Sequence, residues 1–150
     1  MGLTAPWPEF GLDPQAAEYR LRPGGYVVVF NAVGEVAVVA APAGLFLPGG
    51  GQNVGETPEA AAMREACEEC GWKIRLGARI GVADELVFAE AEQQHYRKHC
   101  VFFLAEIVVE TTTAEPDHKL LWLSPAEAQT RLRHASQRWA VAEACRLMRG

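Results

Sequence analysis

The chain has 150 residues, 49% of them hydrophobic, and a formal net charge of −5. This length and apolar content suit one domain with a sizeable core, so we treat residues 1–150 as a single domain. The negative charge argues against a nucleic-acid polymer as the main partner, since phosphate backbones attract basic surfaces. Because no run approaches the roughly 18 apolar residues that span a bilayer, and residues 1–8 lack a signal-peptide pattern, we expect a soluble, cytoplasmic protein.

The N-terminal third contains an arm followed by short strands. Residues 1–19 are rich in proline, glycine and alanine, which predicts an irregular N-terminal arm. Residues 18–22 are compatible with a short edge strand. The β-branched and aromatic run at 26–30 predicts a strand covered on both faces, and residues 35–41 predict a second buried strand that forms a hairpin with it. Residues 45–47 form a short strand that leads into a glycine-rich loop.

A helix is predicted from about residue 58 to residue 70. Thr57 is a suitable N-cap, and Pro58 fits the first helical position. The alanine-rich run that follows has high helix propensity. Gly71 is placed to end the helix in a left-handed conformation.

This helix carries three glutamates, Glu65, Glu68 and Glu69, on one face. At about 100° per residue they fall on the same side, where like charges cost about 0.2–0.5 kcal/mol per pair. A pattern that breaks a local rule so consistently indicates function, and clustered carboxylates suit Mg²⁺ or Mn²⁺. The alternative is a solvated acidic surface.

The same helix contains a C-x-x-C pair, Cys67 and Cys70. No second pair follows at zinc-site spacing, so we favour a structural role over a metal or redox site. Both thiols are expected to point with Met63 toward a core, on the face opposite the glutamates, where cysteine behaves as a small hydrophobe.

Two further strands, 72–82 and 101–109, flank a polar segment at 84–98. We interpret that segment as a long loop, a hairpin or a mobile flap. Arg97 and Lys98 within it are candidate phosphate-binding residues. The alternative is that they form the exposed start of a strand.

The C-terminal part contains a last strand and two helices. Residues 120–123 form the strand, and Ser124 begins a capping box that starts a short helix ending near residue 133. Ser136 is expected to cap a final helix that ends near residue 148. The apolar stripe of that helix, expected to face the core, comprises Val141, Cys145 and Met148. Strands with helices before and after them predict a sheet held between helices.

The segment 50–72 has a characteristic spacing of glycine and charged residues. Gly50 is followed after five residues by Glu56, and after seven more by Arg-Glu-Ala-Cys-Glu-Glu-Cys-Gly-Trp at 64–72. This pattern resembles the Nudix box, whose signature is G, five residues, E, seven residues, then R-E-U-x-E-E-x-G-U, where U is a bulky apolar residue. All the charged and glycine positions are present, and Ala66 is smaller than the usual residue. The resemblance implies the Nudix fold, an α/β class with a mixed β-sheet in an α/β/α sandwich.

The resemblance also implies a reaction and a metal site. Nudix enzymes hydrolyse a nucleoside diphosphate linked to another moiety, using water activated by divalent ions. Carried over to this chain, metal ligation falls to Glu65, Glu68 and Glu69, and Gly49 adds a backbone carbonyl. The implied cofactor is Mg²⁺ or Mn²⁺.

Other box residues receive supporting roles from the same resemblance. Arg64 would hold a box glutamate in place by hydrogen bonds, and Glu56 would brace the loop against the helix. Gly50 and Gly55 would give the loop conformations that a Cβ would oppose.

The sequence leaves several candidates for the general base. In some Nudix enzymes it is a box glutamate, here Glu68 or Glu69, and in others it lies in a loop outside the box. Glu115 is the first external candidate, followed by Glu90 and Glu92.

The box does not determine the substrate. Residues 85–88 lack the proline often found near there in ADP-ribose hydrolases and the tyrosine of dinucleoside polyphosphate hydrolases. The S-Q-P-W-P-F-P pattern of NADH hydrolases is also absent. We therefore favour a nucleoside triphosphate or modified nucleotide as a small-molecule partner, with a dinucleoside polyphosphate hydrolase or a non-hydrolytic nucleotide sensor as alternatives. An edge strand or the N-terminal arm could mediate a homodimer.

Overall fold

The structure is a computed structural model that describes residues 6–111 and 117–150. Within these ranges the elements, in chain order, are β1 (Glu9–Gly11), β2 (Arg20–Val28), β3 (Val36–Ala41), β4 (Gly44–Phe46), β5 (Gly49–Gly51), α1 (Pro58–Cys70), β6 (Trp72–Ala89), β7 (Gln94–Glu110), β8 (Lys119–Leu123), α2 (Pro125–Arg131) and α3 (Ala135–Arg149).

The strands form two sheets. The larger has the order β1-β6-β7-β2-β5, and the smaller has the order β4-β3-β8. In the larger sheet β6 and β7 are antiparallel, β2 runs parallel to β7, and β5 returns antiparallel to β2. The predicted mixed sheet is therefore confirmed.

Alternation along β2 divides the core between the two faces of the larger sheet. Tyr26 and Val28 belong to one apolar cluster together with Phe102, Ala140 and Val141, the last two from α3. The intervening side chains contribute to a second cluster on the α1 side, which contains Val27, Val29, Ala62, Ala66, Val101 and Phe103. Since successive strand residues point to opposite faces, the sheet lies between α1 and α3 as in an α/β/α sandwich.

Helix α1 has the predicted bounds. The Thr57 side chain accepts a hydrogen bond from the Ala60 backbone N–H, and Gly71 ends the helix at φ 72°, in the left-handed region. The cap and the terminating glycine thus act as the sequence predicts.

The buried face of α1 differs from the expected one. Cys70 is buried, but Cys67 is exposed and Met63 is 43% exposed. Small residues make the contact with the sheet instead, namely Ala61, Ala62 and Ala66 together with Cys70. The reason is close approach: a Cβ on Gly25 of β2 would lie 1.9 Å from the Pro58 carbonyl oxygen, so no bulky side chain fits between helix and strand.

One N-terminal expectation is corrected. The arm contains a short strand, because β1 pairs in parallel with residues 84–86 of β6. Residues 20–22 begin the longer strand β2 and pair with residues 96–98 of β7, whereas β5 pairs with residues 24–26 of β2. The polar segment at 84–98 is a hairpin, one of the alternatives raised above, with a turn at 90–93 between β6 and β7.

The last helix also begins differently. His134 is the N-cap residue of α3, and Ser136 is buried inside the helix. The Ser136 backbone N–H donates to Glu85 Oε1 at 2.8 Å, so a carboxylate from β6 satisfies this helix end. Met148 is 63% exposed, and its expected core position is wrong. None of the described helices is long and apolar enough to cross a membrane.

Candidate active site

Arg64 connects the glycine loop to the acidic helix face. Its Nε and Nη2 atoms each donate to a different oxygen of Glu56 at 2.9 Å. Nη2 also donates to the Gly51 carbonyl at 2.9 Å, and Nη1 donates to Glu65 Oε1 at 2.8 Å. Nη1 contacts Glu68 as well, at 3.2 Å. One side chain therefore holds the loop and two glutamates in register.

These contacts shift the pKa values of both partners. Hydrogen bonds from Arg64, and then from the Asn53 backbone, lower the pKa of Glu56 to about 2. The same Glu56 carboxylate, and then Glu65, raise the pKa of Arg64 above its usual value. Because each partner stabilises the charged form of the other, the Arg64–Glu56 pair stays ionised over the whole working pH range.

The glycine loop lies directly over the helix. The Gly49 N–H donates to Glu69 Oε1 at 2.9 Å. Gly49 has φ 144°, and a Cβ there would lie 2.4 Å from the Gly25 carbonyl oxygen. A Cβ on Gly50 would lie 2.7 Å from Glu65 Cδ. The absence of side chains on β5 thus creates the space in which the glutamates lie.

The donor set suits a divalent ion. Glu65, Glu68 and Glu69 bring hard carboxylate oxygens to one side of α1, and the Glu65 and Glu68 side chains are 21% and 45% exposed. Within residues 6–111 and 117–150, no three His, Cys, Asp or Glu side chains are already arranged as a metal site. The glutamates instead contact Arg64 and the Gly49 N–H, and ligation would replace part of these contacts.

A cavity of about 350 Å³ opens beside β5. Its wall brings Glu69 and Gly49 together with Arg22, Lys98 and Gln137. Acidic and basic groups thus border one space, as binding of a metal-neutralised phosphate requires.

A second cavity of about 670 Å³ adjoins the first. The two share Arg22, Phe46, Lys98 and His134 as lining residues. Glu90, one of the secondary base candidates, lines this second cavity, whereas Glu92 lies near Arg22 with 3.8 Å between Oε2 and Nη1.

The structure separates the two basic residues that the sequence pairs. Lys98 borders both cavities, and burial lowers the pKa of its ammonium group. Arg97 points to the other face of the sheet, where its Nη1 binds Glu9 and, at 2.9 Å, Asp84 Oδ2. Consecutive residues on a strand face opposite ways, so only Lys98 lies where it could meet a substrate.

Sequence reasoning missed several cavity residues, among them Arg22, Tyr26, His134 and Gln137. The Gln137 side chain is buried, and its Oε1 accepts from the Leu47 N–H at 2.8 Å. Burial, and then the nearby cations, lower the pKa of His134 to about 4, so its ring is neutral at pH 7. A signal existed for Gln137, since it precedes the buried Ala140 and Val141 by one helical turn and is polar on a core face.

The remaining predicted residues have less structural context. Gly55 is exposed in the loop before α1 and adopts φ 79°. Glu115, the external base candidate, lies outside the described residues.

Comparison with known proteins identifies the family. A family model described as the NUDIX domain matches residues 20–145. A MutT NUDIX hydrolase from Burkholderia pseudomallei is 26% identical and superposes with a TM-score of 0.63, covering 83% of this chain and 98% of the other. The chain therefore belongs to the NUDIX domain family. It is a pyrophosphohydrolase of the class that acts on nucleoside diphosphate-linked compounds.

More distant solved structures share the fold. A MutT protein from Methanosarcina mazei has a TM-score of 0.69 at 17% identity, covering 90% of this chain and 100% of its own. The dihydroneopterin triphosphate pyrophosphohydrolase of E. coli also has a TM-score of 0.69, at 19% identity, with 81% and 92% covered.

Proposed function

We propose that this protein hydrolyses a phosphoanhydride bond of a nucleoside triphosphate or modified nucleotide with the help of Mg²⁺ or Mn²⁺. The observation that carries the proposal is the shared cavity, where Glu69 and the glycine loop meet Lys98 and Arg22. A polyphosphate is negatively charged, so Glu69 can bind it through metal ions, and Lys98 and Arg22 can bind it directly.

The helix glutamates and Arg64 supply the metal site, and Glu68 is a candidate both for metal binding and for the general base. Glu65, Glu68 and Glu69, with the Gly49 carbonyl, would hold the ions, which when bound neutralise phosphate oxygens and lower the pKa of water. Arg64 keeps the ligands oriented through the contacts described above.

The general base and the phosphate-binding residue are assigned as follows. Glu68, the most exposed of the three helix glutamates, is the proposed general base, with Glu115 as the external candidate. Lys98 is the proposed phosphate-binding residue.

The known proteins support this choice of substrate without determining it. The E. coli structure is described as acting on dihydroneopterin triphosphate, and another similar structure is a UDP-X diphosphatase. The second cavity is a specific reason to retain a dinucleoside polyphosphate as the second candidate, because it offers room for a second nucleoside. A single domain, a cytoplasmic location and a possible homodimer stay predictions.

The test is release of phosphate and pyrophosphate from nucleoside triphosphates, dinucleoside polyphosphates and nucleotide sugars, with Mg²⁺, with Mn²⁺ and with EDTA. We expect metal-dependent turnover of triphosphates, reduced by roughly 100-fold or more in Glu69→Gln. Glu59→Gln on the exposed first turn of the same helix is the matched control and should retain wild-type rates. Saturable nucleotide binding without turnover would instead establish a sensor.

A further inference from the structure

Gln137 presents a hydrogen-bond donor to the cavity. The residue is 2% exposed, and its Oε1 accepts a hydrogen bond from the Leu47 N–H at 2.8 Å. That contact determines the orientation of the carboxamide, because a flip would place the NH₂ group against another donor. Nε2 then donates to no group in the described parts of the chain, although Gln137 lines the 350 Å³ cavity.

An oriented donor on a cavity wall favours a ligand with a matching acceptor. Because the Leu47 contact already holds the carboxamide, Nε2 can bind such an acceptor with little further loss of side-chain entropy. Gln137 Nε2 therefore fits a ligand that brings an acceptor into the cavity.

Lys98, the proposed phosphate-binding residue, lies on the same wall and would hold the phosphate end of the nucleotide. Its ammonium group forms no ion pair with a carboxylate of residues 6–111 or 117–150, and it borders both cavities. Glu85 lies opposite Lys98 in the strand register, but its Oε1 is engaged by the Ser136 N–H. Arg22 stacks on Tyr96, with Cζ 4.3 Å from the ring centroid, and supplies further donors nearby.

We infer that Gln137 reads a carbonyl acceptor at C6 of a purine or C4 of a pyrimidine, and so selects the keto bases guanine and uracil over the amino bases adenine and cytosine. This inference rests on the proposed function. The Nε2 donor matches guanine O6 or uracil O4, whereas the amino group of adenine or cytosine at that position would place donor against donor. Phe46, which lines both cavities, offers an aromatic surface for the base.

The experiment compares kcat/KM for GTP against ATP and for UTP against CTP. One well-placed hydrogen bond discriminates by roughly 5- to 150-fold, so the wild type should prefer the keto member of each pair by that order. Equal efficiency within both pairs would overturn the inference, and this result needs no variant.

A substitution at Gln137 makes the test sharper. Gln137→Glu keeps an oxygen for the Leu47 N–H and replaces the free donor by an acceptor, so the keto preference should shrink or invert. Gln15→Glu in the exposed arm adds the same charge away from the cavity and should leave both ratios unchanged.

The outcomes separate the possible failures. If Gln137→Glu lowered kcat/KM equally for all four nucleotides, Nε2 would contact a phosphate oxygen, and the base assignment would be wrong. If no nucleotide were hydrolysed, the proposed function would fail, and calorimetry with GMP, AMP, UMP and CMP would decide the subsite alone. Tighter binding of GMP and UMP would support it, and equal binding would contradict it.

Discussion

Arg64 illustrates how single residues organise this site. The sequence places three glutamates on one helix face, where they should repel one another. In the structure Arg64 pairs with Glu65 and Glu68 while Glu56 holds its other side. The repulsion expected from the helix alone is thus offset by one guanidinium group before any metal binds.

The pKa of Glu56 leads to a prediction about acid stability. Arg64 keeps that pKa at about 2, below its ordinary value of 4.5. The unfolded chain therefore takes up a proton at higher pH than the folded chain, and the stabilisation is fully present above about pH 4.5 and lost as the pH falls toward 2. We expect Glu56→Gln to lower the Tm by a constant amount between about pH 8 and 5, and by progressively less below about pH 4.

Thermal melts across that pH range would measure this difference. Glu59→Gln, on the exposed first turn of α1, is the control and should show no such pH dependence. A Tm difference that stayed constant down to about pH 3 would show that Glu56 titrates normally.

The face of α1 on which the box glutamates lie was predictable, because local spacing determines which side of a helix a residue occupies. The residues on the opposite wall of the cavity could not be predicted from the sequence. Leu47 and Gln137 are bonded across 90 residues of sequence, and no local pattern reveals such a contact. Strand alternation decides between Arg97 and Lys98, and the sequence did not show which of them faces the cavity.

At the scale of elements, the close contact between α1 and β2 depends on a glycine, Gly25, at the point where they meet. A Cβ on Gly25 would lie 1.9 Å from the Pro58 carbonyl oxygen and 3.2 Å from the Ala62 nitrogen, both backbone atoms. The backbone cannot move aside as a flexible side chain can, so helix and strand would have to separate.

We therefore expect Gly25→Ala to destabilise the fold by about 1–3 kcal/mol, the usual cost of overpacking. Chemical denaturation would measure the free energy of unfolding. Gly51→Ala is the matched control, since its Cβ would meet only the Pro23 carbonyl oxygen at 3.9 Å. If the two variants were equally stable, the close approach would not be as tight as the structure indicates.

The β6–β7 hairpin shows why polar strands are hard to predict. Its ends carry Asp84, Arg97 and His99, which suggest a loop when each is considered alone. In the structure Arg97 and His99 both contact the Asp84 carboxylate, at 2.9 and 2.8 Å. Charged groups that satisfy one another can occupy a sheet, but only the register of the strands shows that they meet.

At the scale of the whole molecule, the same carboxylate joins distant parts of the chain. Asp84 is 2% exposed, its backbone N–H donates to Pro8 O, and its partner Arg97 also binds Glu9 of β1. Trp7 packs edge-on against His99, with 4.8 Å between ring centroids. The N-terminal segment is therefore docked on the hairpin at the edge of the sheet opposite β5.

Replacing this carboxylate tests that docking. Asp84→Asn should lower the free energy of unfolding by about 1.5–3 kcal/mol, because hydrogen bonds to a charged group are lost at a buried position. Turnover should be retained, since Asp84 lines neither cavity. Asp13→Asn at an exposed position is the control. A stable but inactive Asp84→Asn would contradict a purely structural role.

The bond from the Gly49 N–H to Glu69 Oε1 ties a main-chain proton to a proposed metal ligand. If the Glu69 carboxylate binds a cation, its hydrogen bond from the Gly49 N–H becomes weaker. Amide hydrogen exchange at this single glycine should then quicken when Mg²⁺ is added, against a background of unchanged protection in β2 and β7. The loop thus contains its own spectroscopic indicator of metal occupancy, which can be followed without any substrate.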